Sequence, residues 1–416
     1  MTMLKRVEKL TQAEEAILAA AVRVPASAGR DAAAGILRER GLPTRRVEAW
    51  HYTDLRNLIK GFPGLVESES KSEEAAWLRS VTAIVPSARL AMLNGHVLGE
   101  EAMPQGVTVE AATPVTGFRD ASDMVGVLNS MFATRGVEIV VADGAQVGTP
   151  VELLHGMAGE GAAALRHCVK VGAGAKAAML ERHVSRNGFA SHSNTVTDLQ
   201  VGDGAELLWL FAQEEGEAAI HLSQLNIELG AGAKLTLLML NAGGALVRRE
   251  VNIASGGENS ELSIRGVNLI GGTSHIDVTT VLQHEAPGVT ANELFRNVAT
   301  ERGHGVFQGQ IRVARQAQKT DARMACNTLL LSDEAEFSAK PELEIFADDV
   351  QCGHGATVTD IVDEHLFYLR ARGIPEREAR SMLVQAFVQE VFDDLEDEAM
   401  RDALDARIVT WLENHG

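Results

Sequence analysis

The chain has 416 residues, and its 38 basic and 57 acidic side chains give a formal net charge of −19. That sign of charge repels nucleic acid and anionic membrane surfaces, so neither is an expected partner. No run approaches the roughly eighteen apolar residues of a membrane-spanning helix, and three scattered cysteines (Cys168, Cys326, Cys352) make no disulfide framework, which points to a reducing cytoplasm.

Residues from Thr11 to about Arg40 are rich in Ala, Leu, Glu and Arg, the good helix formers. Glu8, Glu14 and Glu15 surround a short Ala-rich apolar run, which predicts an amphipathic helix and not a secretion signal. Gly41-Leu42-Pro43 stops it. The segment Pro43–Leu55 follows, with Trp50 and Tyr52 placed to anchor a helical cap on the body of the protein.

The middle of the chain repeats. Val-Ala-Asp-Gly-Ala begins at Val141, Val-Gly-Ala-Gly-Ala at Val171, Val-Gly-Asp-Gly-Ala at Val201 and Leu-Gly-Ala-Gly-Ala at Leu229. Gly144, Gly174, Gly204 and Gly232 step by 30, 30 and 28 residues. Each repeat continues into a β-rich run such as 207–211 or 235–240. The rhythm persists less faithfully at Pro287-Gly288, Gln316, Asp333-Glu334 and Asp348-Asp349. A fixed period with Gly/Asp corners predicts a parallel β-helix in which apolar residues of stacked coils form one inner column. A Gly-rich antiparallel sandwich is the alternative. The same glycines are not a nucleotide loop. Gly172-Ala173-Gly174-Ala175-Lys176 lacks the spacing that cradles phosphates, and Gly202-Asp203-Gly204 lies between strands.

The stretch from Lys340 to Ile374 gathers a thiol (Cys352), an imidazole (His354) and two carboxylates (Asp348, Asp349). Leu343, Ile345 and Ala347 alternate with Glu342, Glu344 and Phe346, which predicts a strand with one buried face. Asp348-Asp349 and the glycines flanking His354 predict a turn. Cys352 and His354 stand two apart, so in an extended segment both point the same way and reach one metal ion. A thiolate with an imidazole suits iron, zinc or copper, and a partner has to supply the remaining ligands. A small buried Cys beside a turn His is the plainer alternative. Val358 to Arg372 then reads helical and stops at Gly373. Pro375 opens another helix, with Glu376 and Glu378 in its first turn. Leu383, Phe387 and Val391 form an apolar stripe on it. A last helix carries Met400, Leu404, Ile408 and Leu412. Such helices cap the open end of a solenoid or dock a partner.

Four stretches carry a family resemblance that covers nearly the whole chain. They are Glu48-Ala49-Trp50-His51-Tyr52-Thr53-Asp54-Leu55, Arg302–Gly309, Gln318–Ala322 before Leu329-Leu330-Leu331-Ser332, and Lys340–Ile374. Together they resemble the SufB/SufD family of iron–sulfur cluster assembly subunits. Cys-Gly-His-Gly-Ala-Thr at 352–357 is similar to the SufD branch of that family. His304 departs from the pattern, standing where the family has Arg, which removes support for a phosphate- or carboxylate-binding role there.

The resemblance implies a mainly β fold. A right-handed parallel β-helix core at 111–358 would lie between an N-terminal helical or mixed domain at 1–110 and a C-terminal helical domain at 359–416. It implies a non-catalytic scaffold that pairs with a SufB-like paralogue and docks a SufC-like ABC ATPase. A transient iron–sulfur cluster or iron would then assemble at the paralogue interface. His354 would be the ligand on this side, with Cys352 assisting or merely packed and Asp348 and Asp349 orienting. The ATPase dock would lie around Pro375, Leu383, Phe387 and Val391. The chain itself would bind no nucleotide. Flavin binding by the assembled complex stays open, and an isolated chain could form a homodimer through the same pairing surface. Two other classes share the fold: a carbohydrate-active β-helix enzyme, disfavoured by 4% aromatic content, and a structural solenoid adaptor that never meets metal. The strand histidines His183, His192, His221 and His275 read as ordinary surface or hydrogen-bonded residues.

Overall fold

A computed structural model describes residues 9–66, 71–114, 116–393 and 395–415; Glu8 lies outside them. From Gly136–Val141 onward successive strands go alternately to two sheets, one of ten strands and one of nine, so that neighbours within a sheet are one coil apart. Pairing along the body is parallel. At the N-terminal end Ala88–Leu93 pairs antiparallel with His96–Glu100, and Val107–Ala112 with Gly136–Val141. The result is the expected mainly β solenoid, of about eight turns, with helices at both ends of the chain. The sandwich alternative is excluded, because a sandwich pairs its strands antiparallel. The expected boundary at 110/111 falls inside the strand Val107–Ala112, and a buried helix, Met124–Phe132, follows it.

The two glycines of the second, third and fourth corners do different work. Gly144, Gly174, Gly204 and Gly232 hold φ between +62° and +66°, the left-handed region that a side chain resists. The glycine two residues earlier is needed for closeness: a Cβ on Gly202 would stand 2.8 Å from Ala173 N, and one on Gly230 2.8 Å from Asp203 N. Beyond the fourth repeat the left-handed position passes to Asn259, Gly288 and Lys319. The corner geometry is kept while the glycine pattern fades. One hydrogen-bond ladder confirms the continuity. Gly144 N donates to Ala173 O at 2.8 Å, and the series runs through Gly232 N to Glu258 O and Gly288 N to Gln318 O, ending at Lys319 N to Asp349 O at 2.6 Å.

Inside the coils, Val, Leu, Ile and Phe stack into one apolar column from Leu90 to Ala347. The two helical units cover opposite outer faces. Thr11 caps the first helix, Gln12–Ala21, through a reciprocal bond with Glu14, and Ser27 caps the second, Ala28–Arg40. Six residues containing Pro25 separate them, where composition predicted one continuous helical stretch. Trp50 is buried against the nine-stranded sheet, and its Nε1 donates to Ser122 O at 3.0 Å. It anchors the cap as expected; Tyr52 is only half-buried.

At the other terminus the helices differ from expectation in place. Val358 and Thr359 still belong to the last strand, and the helix runs over Asp363–Ala371. Pro375 is the residue before the next helix, Glu376–Gln389. The helices do not cap the solenoid's end. Val384, Val388, Val391, Met400, Leu404, Ile408 and Leu412 pack flat on Leu180, Leu210, Leu238 and Leu269, which point outward from the ten-stranded sheet. Those leucines would otherwise be exposed, and covering them outweighs closing the end.

Candidate functional site

The C-terminal end of the solenoid is open. Its last strands are Glu336–Ile345 and Gln351–Thr359, and each pairs with a single neighbour, His304–Val313 and Asp321–Leu330 respectively. Their outer edges present unpaired backbone groups, a ready template for another strand. Ile345, Phe346 and Val358 are exposed here as well. At the opposite end His96–Glu100 and Val107–Ala112 are also edge strands, but each pairs antiparallel with its single neighbour.

Gly353, His354 and Gly355 lie within the last strand, not in a turn. They pair in register with Arg323, Met324 and Ala325. The turn stands earlier, at Asp348-Asp349, where the final corner needs one. Cys352 and His354 therefore share the inward-facing side of an extended strand, in register with buried Ala322 and Met324. The two differ in access. Cys352 packs half-buried against the apolar column, and burial pushes its thiol above the usual range. His354 is exposed, because no further coil covers it. An accessible imidazole beside a partly covered thiol presents two donor types that suit iron, zinc or copper.

Asp349 does not face His354. Its side chain pairs with the ammonium of Lys319, and its N–H donates to Gln318 Oε1 at 2.9 Å. It holds the last corner, and Asp348 lies exposed beside it. Behind His354 the in-register inward position is Met324 and then Glu293. Glu293 is fully buried. Burial pushes its carboxyl up to about 7, with the Thr280 hydroxyl beside it. Sequence reading missed it because an isolated Glu on a strand looks like an outward-facing residue. The signal was positional: Glu293 alternates with Ala291 and Phe295, both in the core.

On the C-terminal helices Val391 is buried and Phe387 is half-buried beneath Arg296, whose Cζ lies 5.0 Å from the ring centroid. Leu383 is half-buried, and Pro375 is exposed. This stripe is spent largely on the solenoid. The exposed apolar side chains are Phe367 (73%), Tyr368 (57%) and Met382 (44%). They sit on the first two of these helices, where neither periodicity nor spacing marked them.

Ser193, His221 and Glu215 meet inside the solenoid, yet they form no relay. The serine hydroxyl at 2.9 Å and the carboxylate at 2.8 Å both contact the same ring nitrogen, Nδ1, in a fully buried setting. A nucleophile needs its base on the opposite nitrogen from the orienting acid.

Comparison with known proteins finds matches over most of the chain. Residues 154–387 match the family described as SUF system FeS cluster assembly, SufBD core domain. The chain is 32% identical over 379 residues to the iron–sulfur cluster assembly protein SufD of Escherichia coli, covering 88% of this chain and 89% of that one. It is 24% identical over 393 residues to a SufBD family protein of Synechocystis, at 88% and 86% coverage. It is 26% identical over 398 residues to the chloroplastic protein ABCI7 of Arabidopsis thaliana, at 90% and 83%. Among the described residues no helix is long and apolar enough to cross a membrane. A two-sheet parallel solenoid, ending in the strand that carries Cys352 and His354, belongs to the SufBD family of iron–sulfur cluster assembly proteins.

Proposed function

We propose that this chain is a non-catalytic scaffold subunit that pairs through its open end with a SufB-like paralogue, in the cytoplasm. The observation that carries this reading is the uncovered pair of edge strands, with His354 exposed on the second of them. A second solenoid ending in the same way continues both sheets across the junction, which satisfies the free backbone groups and buries Ile345, Phe346 and Val358. His354 then faces the partner and offers one nitrogen to an iron ion or nascent cluster, with the partner supplying thiolates. The cluster is cargo. Imidazole must be neutral to ligate, so capture is proton-linked.

The SufC-like ATPase docks on the C-terminal helices, and Phe367, Tyr368 and Met382 are the side chains free to meet it. Phe387 and Val391 support that surface from below. ATP hydrolysis belongs to the partner.

Two surface variants separate the two docks. Co-expression of the three subunits should show Ile345→Lys/Val358→Lys losing the paralogue while keeping the ATPase. Phe367→Asp/Tyr368→Asp should lose the ATPase while keeping the paralogue. Retention of both partners by both variants would refute the assignment. Recovery of a homodimer through the Ile345/Val358 edge would show that the edge pairs with a second copy of this chain instead.

A further inference from the structure

One inward-facing column of the solenoid changes character along its length. Gln213, Asn241, Asn268, Asn297 and Thr328 occupy the same position on successive coils. Four of these side chains bond in series. Asn241 Nδ2 donates to Asn268 Oδ1 at 2.7 Å, Asn268 Nδ2 to Asn297 Oδ1 at 2.7 Å, and Asn297 Nδ2 to Thr328 Oγ1 at 3.1 Å. The series ends at Asn241, whose Oδ1 is unpartnered like the Oε1 of Gln213, and beyond Gln213 the column continues as His183 and then His155.

His155 stacks on His183 with ring centroids 4.4 Å apart and planes 10° from parallel. His155 is only 7% exposed, yet neither ring nitrogen has a hydrogen-bond partner. Glu181, 1% exposed, meets His183 Nε2 through Oε1 at 3.0 Å, while its Oε2 is unpartnered. Each buried polar atom left without a partner costs about 1–3 kcal/mol. A concentration of them in a native core calls for an occupant. One ligand atom from each of His155, Glu181 and His183 lies within 4.8 Å of the others.

We propose that the interior of the first coils is a binding site for a divalent transition-metal ion, with His155, Glu181 and His183 as its ligands. Two imidazoles and one carboxylate suit iron(II), cobalt(II) or zinc(II) better than magnesium or calcium. The neighbours fit the same reading. Glu215 Oε2 stands 2.8 Å from His221 Nδ1 and accepts its hydrogen bond, and the unpartnered His221 Nε2 lies beside His183, at 4.6 Å between ring centroids. A carboxylate that orients an imidazole in this way is the usual support of a metal-ligating histidine. Val137 N donates to His167 Nδ1 at 3.2 Å, so His167 presents an N–H toward the chamber and acts as a donor, not a ligand. Burial holds His155 and His183 neutral, the form that binds metal. Arg249 shares the chamber but stacks on Phe211, 3.3 Å from the ring centroid, with its Nε and Nη2 unpartnered.

A site this enclosed loads during folding and releases slowly, which makes it measurable. The full chain is expressed in medium enriched in cobalt, zinc or iron, passed through chelator, and analysed for bound metal. The expected result is about one retained ion per chain. His155→Gln and Glu181→Gln should lower it to a small fraction, while His354→Ala leaves it unchanged. If those variants fold poorly by circular dichroism, the cobalt form of the wild type decides. Ligand-field bands without thiolate charge transfer support the site. Absence of retained metal in all three media, thiolate bands, or loss of the ion with His354→Ala would overturn it. None of these outcomes depends on the open end acting in cluster assembly.

Discussion

Replacing Arg248 with alanine should destabilise the protein by about 3–5 kcal/mol, the cost of breaking a buried ion pair from one side. Arg248 is fully buried beneath the N-terminal cap. Its Nη1 pairs with Asp277, its Nη2 donates to Glu250 Oε1 at 3.1 Å and to Ala49 O at 3.0 Å, and its Cζ lies 4.5 Å from the Trp50 ring centroid. Glu250 keeps Arg119 at 3.1 Å and Gln224 at 3.1 Å when Arg248 is removed. Asp277 keeps only neutral or weakly basic neighbours, because Thr53 donates to it and His275 stands beside Thr53 at 2.8 Å. Its charge would then be buried without a counter-ion. Pairing Arg248→Met with Asp277→Asn should recover part of the loss, since both charges leave together. Urea unfolding of the single and double variants measures this. A single-variant loss below about 1 kcal/mol, the scale of an exposed pair, would show that the network does not hold the cap.

Glu293→Gln should stabilise the protein at pH 8 and change it little at pH 5. The folded carboxyl titrates at about 7 against an ordinary 4.5, and burial is the cause. The raised value means that the protonated side chain suits the interior. Its contribution to stability is complete below about 4.5, is lost as pH rises, and is gone above about 7. The full penalty is about 3 kcal/mol, because each tenfold change in proton affinity between the folded and unfolded chain is worth about 1.4 kcal/mol. Glutamine removes the titration and keeps the shape, so the gain in melting temperature should grow between pH 5 and pH 8. An equal gain at both values would place the cause in packing.

Much of this architecture was legible. Val-Gly-x-Gly-Ala at a steady period carries its own explanation, because one glycine admits the neighbouring coil and the other turns the corner. The later coils were harder to read, since Asn259 and Lys319 take left-handed geometry without glycine. What no local pattern revealed was the destination of outward-facing residues. Arg248 and Arg249 are adjacent and point to opposite faces, yet both are buried, one beneath Trp50 and the other inside the coils against Phe211. Val391 and Phe387 form the stripe that periodicity predicted, but the solenoid wall claims it. The same limit applied to histidine. His155 and His183 stand 28 residues apart, one coil, and stacking of coils makes them neighbours. Coil spacing was the signal, and reading each strand histidine alone concealed it. His354 was legible as a candidate from its Cys-Gly-His-Gly setting. Its exposure was not, because that depends on the chain ending its last coil there.

The most direct test is cluster assembly by the reconstituted three-subunit complex with His354→Ala in this chain. The complex should still assemble, since the edge strands and the exposed helical surface are untouched. Formation of the visible-absorbing cluster should fall by about 10-fold or more, the scale of losing a metal-site residue. Wild-type yield and rate in the His354→Ala complex would contradict the account and leave the open end as a joint between subunits without a part in metal capture.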